Sequence, residues 1–211
     1  MRFFVLIVAF TLTASAALLD KIAIIVDHRV VTESQLDEEI RVTALLNHEP
    51  LKRDRETRRA AADRLVEQEL VRREMELNQY PAPSPGEVTP LLEATRNEFG
   101  GQAALAAAME RDGLNEQILR DHLRLQVMTL KFIDVRFRPD VEVSDSDVLA
   151  YYQQQLEQWP KAHKTHPPTL EESRASIEKT LAGERADYAL SSWIEETRKE
   201  VNIIYLDKDL D

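Results

Sequence analysis

The residue types able to do chemistry are few in this chain, and their spacing is poor for it. There is no cysteine, which removes thiol nucleophiles, cysteine-held metals and disulfides together. His163 and His166 stand close in the run His-Lys-Thr-His. That spacing is too short and too poor in carboxylates for a zinc helix, and Lys164 repels a cation, so the pair reads as solvated linker with no metal. His122 lies in an apolar stretch, where a proton switch and a histidine satisfied in a core or groove both fit. His28 and His48 fall beside turns. Asp37-Glu38-Glu39 and Glu171-Glu172 would suit paired-carboxylate chemistry, but they occupy helix first turns or exposed faces, where the helix dipole favours negative charge. Gly100-Gly101 follows a helical pattern and precedes no Gly-Lys-Ser/Thr, so it is no phosphate loop. No serine sits in a Gly-x-Ser-x-Gly elbow. The expectation is a protein that is not an enzyme, needs no cofactor and works by surface recognition.

Recognition of unfolded chains needs apolar patches bordered by charge. Leu91, Leu92, Phe99, Leu105, Met109 and Met128 are the candidate client-binding residues, and the same side chains also fit an ordinary core. The formal net charge of −11 over 211 residues argues against nucleic acid and anionic lipid as partners.

Arg2, the apolar run Phe3 to Leu12 and the small-x-small triplet Ala14-Ser15-Ala16 form an export signal over residues 1–16, with cleavage expected before Ala17. The rival is an uncleaved anchor reaching Leu19, although Thr11, Thr13 and Ser15 interrupt it and it falls short of the about 20 residues of a spanning helix. Cleavage removes Arg2, which moves the net charge from −11 to −12. About 195 residues remain, enough for one soluble domain with its own core.

The elements that must position any surface are mostly helical. Ile22 to Val26 and Val30-Val31 flank His28-Arg29 as a small hairpin. Thr32 with Gln35 forms a capping box before Leu36, Ile40 and Ala44. From about Asp54 to Tyr80, Ala62, Val66, Leu70 and Leu77 mark the buried stripe of a long helix, ended by Pro81, Pro83 and Pro85. Ser84-Pro85-Gly86-Glu87 starts the next helix, with Val88, Leu91, Leu92, Thr95 and Phe99 along it, and Gly100-Gly101 closes it. A short alanine-rich helix runs to Gly113, and Asn115 caps a central helix bearing Ile118, Leu119, His122, Leu125, Met128, Thr129, Phe132 and Val135. Ser144 opens a helix with Val148, Leu149, Tyr152 and Leu156, followed by a linker from Trp159 to Pro168. Thr169 and Glu172 box the last helix, with Ile177, Leu181, Tyr188 and Trp193. Val201 to Leu206 is a terminal strand that can pair with the Ile22 to Val31 region, and 207–211 reads as a fraying acidic tail.

The stretch from Leu19 to Asp37 resembles the opening of the mature SurA-type periplasmic chaperones, a family of which PrsA and PpiD are relatives. Arg64 to Val71 is similar to that family's second-helix segment, and Arg111-Asp112-Gly113-Leu114-Asn115 to the turn before its central helix. Val141 to Tyr152 resembles the lead into a parvulin prolyl isomerase domain. Here that domain is missing, since residues 153–168 are a short linker. The resemblance implies a mainly α, SurA-N-like helical chaperone core over 17–152, completed by a helix and strand over 169–211, with a small β element made by the N-terminal hairpin and the C-terminal strand. It further implies an ATP-independent periplasmic chaperone, without isomerase activity, whose partners are unfolded or partly folded envelope proteins, outer-membrane β-barrel precursors among them. A dedicated interaction module of an envelope assembly complex, a degenerate prolyl isomerase and a membrane-anchored relative are the rival readings.

Overall fold

The computed structural model describes residues 20–159 and 166–210. The export segment 1–16 and His163 lie outside the described residues.

The chain is mainly helical, with a small antiparallel sheet. In order come β1 (Ile22–Val26), β2 (Arg29–Thr32), α1 (Glu33–Leu46), α2 (Arg55–Leu77), α3 (Pro85–Glu98), α4 (Gln102–Arg111), α5 (Glu116–Arg136), α6 (Asp145–Gln158), α7 (Leu170–Glu200) and β3 (Ile203–Tyr205). The sheet order is β2-β1-β3, so the two ends of the chain meet as expected. Asp27, at a positive φ of 58°, helps form the tight turn between β1 and β2.

Helix starts follow local chemistry. Thr32, Ser84, Ser144 and Thr169 each form a capping box with the residue three places on. Asp54 and Asn115 cap α2 and α5 by accepting from Thr57 and Ile118 amides. Each such cap contributes about 1 kcal/mol. Gly100, Gly101 and Gly113 have positive φ where α3 and α4 end, a backbone that L side chains resist.

Three apolar clusters hold these elements together. The sheet's inner face (Ala23, Ile24, Val26, Val31) packs with Leu36 and Ile40 of α1 and with Ala61, Ala62, Val66 and Leu70 of α2. The C-terminal half of α1 joins α3, α4 and the start of α5 in a second cluster. The end of α2, the end of α5 and Ala186 of α7 form the third. At its centre Phe132 is fully buried, with ring centroids 5.4 Å from Phe137 and 4.8 Å from Trp193.

Several expectations need correction. Leu77, Val135, Leu149, Leu156 and Tyr188 are exposed rather than core. Leu77 closes α2, and Leu149 and Leu156 lie on a helix that buries only Val148. α6 continues to Gln158, through the first six residues of the 153–168 stretch and up to Trp159, where the proline-bracketed linker pattern starts. Residues 207–210 are docked rather than frayed: Leu210 is fully buried in the first cluster, Arg59 donates to its carbonyl, and Asp207 pairs with Arg58.

Candidate functional site

A groove of about 660 Å³ lies where α1, α2 and α5 meet beside β2. The stripes that set the helices against their clusters also edge this space, through Val42, Met75 and Met128, and residues beside those stripes, such as Leu65 and Ile118, complete it. Val42 of α1, Leu65 and Met75 of α2, and Ile118, Leu125 and Met128 of α5 give it an apolar lining; Arg29 and Val31 approach from β2, and Tyr80, Ala82 and Pro83 from the α2–α3 connection. Two of the three methionines outside the export segment, Met75 and Met128, are among them. Unbranched thioether side chains adapt to varied partners.

Charge borders this lining. Arg29 pairs with Glu76 and comes within 3.8 Å of Glu69, and Arg72 lies 3.1 Å from Glu69. Oε2 of Glu69 is buried and accepts no hydrogen bond.

Deeper in, a polar network is fully engaged. Glu39, only 5 % exposed, accepts from Arg64 Nε at 2.7 Å and from Thr43 Oγ1 at 3.2 Å through Oε1. Its Oε2 lies 3.2 Å from Nδ1 of His122, whose Nε2 is 3.2 Å from Gln126 Nε2. Nδ1 of the imidazole donates to the Glu39 carboxylate, which can only accept. Burial pushes the Glu39 carboxyl up, but the hydrogen bonds and charges of His122 and Arg64 together outweigh it and hold the group below its ordinary range. The Thr43 hydroxyl is bonded to Glu39 and Arg64, away from the imidazole. The network fixes α1, α2 and α5 against one another at the groove.

Glu39 therefore corrects the expectation of an exposed acidic face. It lies three residues after Leu36 and one before Ile40, on the inward stripe. That spacing was the available signal, masked by the acidic neighbours Asp37 and Glu38. Glu171 and Glu172 are exposed, as their first-turn position requires.

The expected client-binding residues divide differently. Leu92, Leu105 and Met109 are buried in the second cluster, where Leu91 and Phe99 pack half-buried against them, so these five do not form an open patch. They are buried because the apolar stripes of α3 and α4, two short amphipathic helices, pack against each other and against α1 and α5. Met128 alone reaches the groove, and it too is buried, in the third cluster.

A second apolar surface was not foreseen. Register places Val30, Ile25 and Ile204 side by side across the three strands. Val30 and Ile204 are exposed, as are Ile22 and Leu206 nearby.

Among the described residues, no group of three or more histidine, aspartate or glutamate side chains is arranged to hold a metal ion, and no helix is long and apolar enough to cross a membrane. His166 is exposed. No family model matches the chain, and no match is found among curated proteins.

Proposed function

We propose that this protein is an ATP-independent holding chaperone of the periplasm, which captures unfolded or partly folded envelope proteins, outer-membrane β-barrel precursors among them, without isomerising prolyl bonds. The observation that carries the reading is the groove between α1, α2 and α5, where aliphatic and methionine side chains stand among charged ones. Such a surface shields a client's hydrophobic segment while its charges keep the complex dissolved. Binding there needs no reactive group and no nucleotide. The export signal in the sequence, and the resemblance of the chain to SurA-type proteins, support the location and the class of client.

The direct test is light scattering of an unfolded β-barrel protein diluted from denaturant. The mature protein at stoichiometric concentration slows its aggregation without ATP. Unchanged aggregation would falsify the proposal.

The exposed aliphatic row across the sheet favours a second reading, a module serving one dedicated partner, because a flat, fixed β surface suits a single complementary interface. Crosslinking in the periplasm separates the two: one stoichiometric partner supports the module, a broad set of precursors the chaperone.

A further inference from the structure

We propose that the groove takes extended apolar segments bearing lysine or arginine, and that it holds them by adding a strand to the open edge of β2. The inference rests on the chaperone reading and assigns its site a mode of binding and a class of segment.

Strand β2 pairs with β1 alone, so one of its edges carries no partner strand. Val26 and Arg29 flank the two-residue turn, and the next residues, Ile25 and Val30, face each other. In a hairpin of this length the pair beside the turn exchanges hydrogen bonds and the following pair does not. The amide and carbonyl of Val30 thus point away from β1, toward the open edge, ready to pair with an incoming main chain.

Side chains on the two faces of that edge suit such a segment. Arg29 and Val31 face the groove. Val30 faces the other way and is 46 % exposed, level with Ile25 and Ile204. Residues of an added strand would alternate between the groove and this aliphatic row, extending both. An apolar row that ends at an unpaired edge is otherwise an aggregation hazard.

Charge selects among apolar segments. At the border, Arg29 and Arg72 are taken up by Glu69 and Glu76. Of the other charged side chains on the lining outside the Glu39 network, Glu38 and Asp121 are acidic and Arg124 is basic, on a chain of net charge −11. The balance is negative, so basic side chains on the segment are attracted and acidic ones repelled.

The test uses the mature protein and a short fluorescent peptide of alternating valine and threonine with a lysine at each end, its binding followed by anisotropy. Two further peptides carry backbone N-methyl groups on the odd or on the even residues. One methylated form loses about tenfold or more in affinity while the other binds like the parent, because only alternate amides face β2. Exchanging the lysines for glutamates weakens binding, and added salt reduces that difference. Val30→Pro in the protein weakens binding to a similar degree and Val30→Thr does not; the proline removes no bond to β1, since that amide faces outward. If both methylated peptides bind like the parent, or if a folded Val30→Pro variant does, strand addition is overturned. Should Val30→Pro fail to fold, the methylated pair with the unaltered protein decides alone. Aggregation suppression that persists while the parent peptide does not bind removes this inference and leaves the chaperone reading standing; loss of both removes both.

Discussion

Glu39 carries a charge where its neighbours along the same helical stripe, Leu36 and Ile40, carry only hydrocarbon. Such a residue is tolerated when its partners are close, and Arg64 and His122 are. Glu39→Gln leaves Arg64 without its countercharge and should destabilise the fold by about 2 kcal/mol at neutral pH, read by urea denaturation. The pH dependence has a definite sign. Because the folded carboxyl is held below its ordinary value of 4.5, its contribution is complete above that value and is lost as pH falls through the lower folded one. The gap between wild type and Glu39→Gln therefore narrows on acidification below 4.5; if burial dominated instead, it would widen. Glu87 gives a second check, since Lys131 first, and then the Ser84 amide and hydroxyl, draw it to about 2. In Lys131→Met, its carboxyl titration followed by NMR should move back toward 4.5. At this scale the sequence was legible where chemistry is local, as at the capping residues. It was not legible where a charge on one helix is met by a histidine eighty-three positions away.

An element is legible from sequence when its signals are its own. The capping boxes, the glycines after α3 and α4, and the pairing of the chain's two ends all emerged from short-range pattern or from paired apolar runs. The terminal segment did not, because a lone leucine between Asp209 and Asp211 looks like tail. What docks it is non-local: Leu210 enters the cluster between the sheet and α2, while Arg58 and Arg59 of α2 hold Asp207 and the Leu210 carbonyl. Leu210→Ala should accordingly cost about 2–3 kcal/mol in a thermal or urea melt. A frayed tail would show no change. The same logic applies to α3 and α4, whose apolar stripes have the composition of a patch but bury against each other, α1 and α5. Leu92→Ala should thus lower stability by about 2–4 kcal/mol and leave peptide affinity unaltered.

Across the whole molecule, the three clusters are not independent, because α2 contributes to the first and third and α5 to the second and third. Loss of one exposes the flank of another, which favours a single cooperative transition for the body. The paired stretch of α6 and the first half of α7 stands apart from this arrangement. In it only Val148 and Ile177 are buried, against the fully packed surroundings of Phe132 at the other end of α7. Arg174–Asp145 at 2.6 Å and Arg185–Asp147 at 2.8 Å add exposed ion pairs, which contribute little each. Few buried apolar contacts and solvent-facing backbone bonds give low local stability. Amide hydrogen exchange should find α6 and residues 170–182 of α7 opening well below the global unfolding free energy, while α2, α5 and residues 186–197 of α7 exchange only with it. Protection of α6 equal to that of α5 would show that the arm belongs to the cooperative body. The distinction bears on function, because the groove is built wholly from β2, α1, α2, α5 and the α2–α3 connection. A client site placed on the stable body shares no residue with the arm, so binding and local opening of the arm should be separable in the same exchange experiment: bound peptide slows exchange in β2 and leaves α6 as it was.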